Sequence, residues 1–138
     1  MKLNSKQKQE LRKIAEKYKL KLIVLFGSLA RRKEREDSDM DIGVIFKDGV
    51  KVDFNKEIDL ISNFFKIFQK EIDLSVLNKA NPLLLREASE NAILLYGGEK
   101  DFFNFKLYAF HRYNDYLPFF KLEEKLNKKI IYNYARGQ

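Results

Sequence analysis

The chain reads as a mixed α/β domain, a small sheet flanked by helices with an aromatic-rich helical tail. Short apolar runs of strand length, at residues 21–26, 40–46, 71–77 and 92–96, alternate with segments whose apolar residues recur at helical spacing. Gly27-Ser28, Lys47-Asp48-Gly49 and Gly97-Gly98 punctuate the ends of three of these runs. No repeat or low-complexity stretch interrupts the pattern, and 138 residues suffice for one core without staples.

Each element has a local reason. Residues 5–19 form a basic helix with Leu11, Ile14, Ala15 and Tyr18 on one face and Ser5 as N-cap. Residues 21–26 are a strand, followed by a short helix over 28–34 and a charged loop over 35–38. The strand at 40–46 ends in a Lys47-Asp48-Gly49 turn. Residues 54–68 form an amphipathic helix carrying Ile58, Ile61, Phe65 and Phe68, and 71–77 are a third strand. Pro82 opens a helix through Ser89 as an N1 proline, and 92–96 make a short last strand. Residues 1–98 are thus a core and 99–138 a helical extension, packed on that core, on a partner, or on both.

In the tail, Phe102, Phe105, Ala109, Tyr113, Tyr116 and Phe120 form one helical stripe, with Phe103, Leu107, Phe110 and Leu117 beside it. Pro118 is expected to end or kink this helix. Leu122, Leu126, Ile130 and Tyr134 continue a narrower seam. So much apolar surface exceeds what a small sheet covers, so residues 119–136 are expected to meet a partner.

The chemistry concentrates in residues 24–46. The apolar run 23–26 ends in Gly27-Ser28, and ten residues later Asp39 and Asp41 feed a second apolar run. In a strand, side chains at i and i+2 share a face, so the two carboxylates aim at one point. Like charges so close repel unless a cation lies between them, and hard oxygen ligands suit Mg²⁺ together with substrate phosphates. Gly27-Ser28 supplies a turn where backbone N–H groups can approach phosphate without an intervening Cβ. A metal on one side and a phosphate cradle on the other indicate a nucleoside triphosphate site. Further along, Ile72, Leu74 and Val76 alternate with Glu71, Asp73 and Ser75, which puts the two acidic residues on the opposite face.

The pattern Gly-Ser-x10-Asp-x-Asp, with Leu29-Ala30-Arg31 after the Gly-Ser and Ser38 before Asp39, resembles the signature of the polymerase-beta-like nucleotidyltransferase superfamily. In a chain this small the likeness is to the minimal nucleotidyltransferases, the antitoxin halves of HEPN/MNT toxin–antitoxin pairs. Arg32 stands where many members have Gly. The resemblance covers residues 20–96 well and the last third loosely. It implies a polymerase-beta-like fold, ATP as substrate, two Mg²⁺ ions, and Asp39, Asp41 and Asp73 as catalytic and metal-binding residues. Asp73 takes the place of the family's third carboxylate, which helps deprotonate the nucleophile, with Glu71 as its rival. Gly27, Ser28, Arg31 and Ser38 become nucleotide-binding positions, Arg31 being either a phosphate contact or a structural charge. The implied acceptor is a tyrosine of a HEPN ribonuclease toxin, silenced by AMP transfer. A small-molecule acceptor of aminoglycoside type and a non-catalytic, toxin-plugging antitoxin are the alternatives.

Composition narrows the classes. Without cysteine there is neither a disulfide nor a thiolate metal site, and the lone His111 lacks partners for zinc. The polar N-terminus is no signal peptide, and no apolar run spans a membrane, so a cytoplasmic protein is expected. The net charge of +7 is uneven: residues 1–35 hold 12 Lys/Arg against 3 Asp/Glu, and the remainder sums to −2. A basic N-terminal part beside a triphosphate site attracts nucleotide. The aromatics are mostly Phe in periodic segments and no RNA-binding signature accompanies them, so direct nucleic-acid binding is not expected.

Overall fold

A computed structural model describes residues 2–30 and 39–137. In chain order the elements are α1 (Ser5–Tyr18), β1 (Leu20–Phe26), α2 (Gly27–Ala30), β2 (Met40–Phe46), α3 (Phe54–Phe68), β3 (Ile72–Val76), α4 (Pro82–Ser89), β4 (Ile93–Tyr96) and α5 (Glu99–Ala135). Among the described residues the strands form one sheet in the order β3-β2-β1-β4. β1 runs antiparallel to both β2 and β4, whereas β2 and β3 are parallel, joined by the crossover helix α3.

Helices cover both faces of the sheet, and strand alternation decides which residue goes where. Ile23 and Leu25 of β1, Met40, Ile42, Val44 and Phe46 of β2, and Ile72, Leu74 and Val76 of β3 pack with α1 and α3. Leu22, Val24 and Phe26 point the other way, to Leu85 and Ala88 of α4 and Phe105 and Ala109 of α5. Leu20 joins the first face despite its even number, because a register shift between Leu20 and Leu22 sets an extra β1 residue against β2. The parallel ladder is extended past β3 by two bonds of 2.9 Å. The Phe46 N–H donates to Asn78 Oδ1, and Asn78 Nδ2 donates to the Phe46 carbonyl.

Three expectations are corrected. The cap of α1 is Asn4, not Ser5: its side chain accepts from the Gln7 N–H while Gln7 reaches back to the Asn4 N–H, a reciprocal capping box. In α3 the buried residues are Leu60 and Phe64, with Ile67 and Phe68 half-buried, whereas Ile58, Ile61 and Phe65 are exposed. The helix has two apolar stripes, and the sheet takes only one. α5 does not end at Pro118; it runs 37 residues through it. Proline's fixed φ is compatible with a helix, and on a solvent-exposed segment water can satisfy the carbonyl left without its donor.

α5 is anchored by its first half only. Phe105 and Ala109 are buried against α4 and β1, and Arg86 of α4 lies 4.2 Å from the centre of the Tyr113 ring. Phe103, Leu107 and Phe110 are exposed, as are all residues from 121 to 137. His111 is exposed, with its ring against the edge of Phe110. No described helix is long and apolar enough to cross a membrane.

Candidate active site

The parallel pairing of β2 with β3 sets Asp41 directly beside Asp73. Because Ile42 and Val44, like Leu74 and Val76, fill the core beneath α1 and α3, both aspartates point to the other face. The register separates Asp73 from Glu71 in position. Glu71 stands one step outside the strand, its carbonyl accepting from the Met40 N–H at 2.8 Å, while Asp73 is the residue paired with Asp41.

Gly27 closes the site from β1. Phe26 is paired with Asp41 across the β1–β2 ladder, so the chain leaves β1 right against that carboxylate. A Cβ on Gly27 would overlap Asp41 Oδ2 and lie 2.9 Å from its Cγ, and the backbone there has φ +74°. Both facts demand glycine. The turn is thus shaped around the Asp41 carboxylate.

Electrostatics single out the same residue. The Asp41 carboxyl is pushed from 3.8 up to about 6, first by burial, then by its hydrogen bond to Asp73 and the charge of Asp73, then by Glu87 and Asp39. Protonated Asp41 can donate to the Asp73 carboxylate; ionised, it faces like charge on several sides. Asp39, just before β2, acts on Asp41 through its charge. Glu87 was not foreseen: it comes from α4, which packs on this sheet face, and no motif links it to the aspartates. Among the described residues no three His, Cys, Asp or Glu side chains stand close enough to hold a metal between them. The site is therefore a carboxylate pair with acidic neighbours. Arg31, Ser38 and the 35–38 loop fall outside the described residues, and of Ser28 only the backbone is described.

Other grooves lie away from these carboxylates. One of about 760 Å³ is lined by Lys47, Lys51, Val76 and Lys79, and one of about 520 Å³ by Lys8, Arg12 and Tyr96. Neither gathers converging carboxylates, so chemistry rather than volume identifies the site.

The polymerase beta, nucleotidyltransferase family matches residues 9–101, which hold Gly27, Asp41 and Asp73. The chain belongs to this nucleotidyltransferase family. Two relatives from Methanocaldococcus jannaschii, both named for protein adenylyltransferase activity, make the likeness specific. One is 37% identical over 98 residues, covering 67% of this chain and 98% of the relative; the other is 33% identical over 100 residues, covering 69% and 100%. The fold is shared with a toxin–antitoxin crystal structure containing AMP-PNP, at TM-score 0.70 and 21% identity over 90% of this chain and 98% of the other. It is shared too with a complex of a tri-AMPylated Shewanella oneidensis HEPN toxin and an MNT antitoxin, at TM-score 0.66 and 20% identity over 94% and 99%. The family match ends near the start of α5, whereas structural matches of this extent reach into that helix.

Two outcomes follow for this carboxylate pair and its turn. Gly27→Ala must both strain a left-handed backbone and displace Asp41, a cost of about 1–3 kcal/mol that urea unfolding will register. Asp41 binds its proton more tightly folded than unfolded. In metal-free buffer its contribution to stability therefore falls as pH rises from about 4 to about 6, and stays low above that. Asp41→Asn removes this fall, so the variant should gain stability over wild type at pH 7 but not at pH 4, in paired denaturation curves.

Proposed function

We propose that the chain is an antitoxin protein adenylyltransferase, transferring AMP from ATP to a tyrosine hydroxyl of a cognate HEPN ribonuclease toxin and so neutralising it. The carrying observation is the Asp41–Asp73 pair, set in register on adjacent strands with Gly27 against it. Family membership supports nucleotidyl transfer, and the names of the archaeal relatives support a protein acceptor. The AMP-PNP complex supports an adenine nucleotide as donor, and the tri-AMPylated complex supports a HEPN toxin as acceptor.

Two carboxylates side by side, one with its pKa raised by burial and by the other, suit a hard divalent cation, which usually takes one or two carboxylates plus substrate phosphates. In this reading Asp39, Asp41 and Asp73 would hold Mg²⁺. When bound, that ion neutralises triphosphate charge and stabilises the attacking and leaving oxygens. Gly27 lets the backbone approach the phosphates, with Ser28, Arg31 and Ser38 as further nucleotide-binding positions. Asp73 draws the proton from the acceptor tyrosine as its oxygen attacks the α-phosphorus. The new O–P bond forms as the α–β phosphoanhydride bond breaks, and pyrophosphate leaves. Positioning and charge carry the rate, since little covalent work falls to the protein. The exposed half of α5, with Leu122, Leu126, Ile130 and Tyr134 on its surface, serves as a contact for the toxin.

The test is incubation with Mg²⁺, ATP labelled at the α-phosphate, and the HEPN toxin. Label should pass to a toxin tyrosine, and Asp41→Asn should abolish transfer. Asp73→Asn should slow it by roughly 10²-fold, while ATP affinity weakens less. Glu71→Gln should transfer as wild type. Toxin bound but never labelled would mean a non-catalytic antitoxin. Truncation after Leu117 should preserve ATP binding by calorimetry yet weaken co-purification with toxin. Each apolar residue buried at an interface is worth roughly 1.5–3 kcal/mol before association costs.

A further inference from the structure

One flank of α3, beside the side that meets the sheet, carries Phe54, Ile58, Ile61 and Phe65, which are 73%, 46%, 37% and 47% exposed. Spacings of four, three and four residues place them on one stripe, about 16 Å long at 1.5 Å per residue. The helix beneath is well made. Asp53 caps its start, accepting from the Lys56 N–H at 2.8 Å, Gln69 ends it in a left-handed turn, and Leu60 and Phe64 anchor the side that meets the sheet. No charged residue interrupts the stripe; Ser62 borders it on one side and the half-buried Glu57 on the other. A row of large apolar groups on an otherwise satisfied helix marks an association surface.

The order of the residues indicates what covers it. Read in either direction the stripe is Phe, Ile, Ile, Phe at the same spacing. A two-fold axis between Ile58 and Ile61 sets Phe54 against Phe65 of the second copy and Ile58 against Ile61 of the second copy. Aromatic then meets aromatic and β-branched meets β-branched across the axis of an isologous contact. We propose that α3 is a homodimerisation face, on which a second copy of this chain packs its own α3 antiparallel.

Area sets the strength of this contact. The stripe exposes roughly 400 Å² per protomer, so the pair with its rim buries about 800–1,000 Å², short of the roughly 1,200 Å² of a standard interface. The dimer is accordingly weak, with dissociation in the micromolar range or above. Its geometry leaves the opposite sheet face free, where Asp41, Asp73, α4 and α5 lie. Dimerisation is independent of the proposed AMP transfer.

Sedimentation velocity on the full chain from roughly 1 to roughly 300 µM should show a reversible monomer–dimer equilibrium. Ile58→Glu combined with Ile61→Glu should stay monomeric throughout, with an unchanged thermal midpoint. Because the protein has no cysteine, Phe54→Cys and Phe65→Cys report the orientation separately. A mixture of the two variants should be joined by a short thiol-reactive cross-linker, and neither variant alone. A wild-type protein that remains monomeric over the whole range, or a dimer untouched by the double substitution, overturns the proposal. Cross-linking of Phe54→Cys with itself overturns the antiparallel arrangement.

Discussion

The parallel register of β2 on β3 is the constraint from which the site follows. Met40, Ile42 and Val44 lie beside Ile72, Leu74 and Val76 under α1 and α3, and that apolar contact holds the register. A slip of one residue would turn every side chain of β3 to the wrong face. Burying an aliphatic side chain is worth roughly 1.5–3 kcal/mol, and several are engaged here. The repulsion between Asp41 and Asp73 opposes this with less, because Asp73 and Asp39 are exposed and water screens them. The core therefore buries Asp41 and sets it beside Asp73, and burial first, then Asp73, push its carboxyl up to about 6.

The remaining structure serves that pair from both sides of the sheet. The α1/α3 face is apolar throughout its buried part and acts as the anvil. The α4/α5 face carries Phe26, Val24 and Leu22 beneath helices, and at its end the carboxylates. α4 contributes Glu87 to the field at Asp41, so one helix both completes the core and tunes the site. Gly27 joins the faces: its left-handed turn lets β1 exit against Asp41, where any side chain would collide. Gly97 does similar work at the other end, with φ +122° and a would-be Cβ 2.7 Å from the Lys21 carbonyl.

Apolar surface left uncovered is the other consequence of so small a sheet. α3 presents one stripe outward while packing the other, and α5 leaves the body after Phe105 and Ala109 have anchored it. The two surfaces lie on opposite faces of the sheet. The nucleotidyltransferase family match stops near the beginning of α5, while solved structures of the same fold extend into that helix. A body with separate apolar faces can meet a second copy and a different protein at once.

Local spacing is what made the Gly27-Ser28 turn, the Asp39-x-Asp41 strand start and the alternating elements legible in the sequence, because strand and turn geometry act over a few residues. The apolar pattern of the tail was legible for the same reason, and the first of its two stripes is the one that packs. What needed the tertiary structure was every choice between local equivalents. Glu71 and Asp73 share a face, and only the pairing with β2 distinguishes them. The two stripes of α3 are equally apolar, and only contact with the sheet selects Leu60 and Phe64. Asn4 and Ser5 are both good caps, and the Gln7 side chain decides between them. Glu87 is distant in sequence from the aspartates, so no spacing could announce it; packing of α4 brings its charge to bear. The sequence by itself determined which chemistry the chain carries, since that depends on residue types at short range. The tertiary structure decided which carboxylates face one another and which apolar faces stay open, since both depend on the register and layering of elements far apart along the chain.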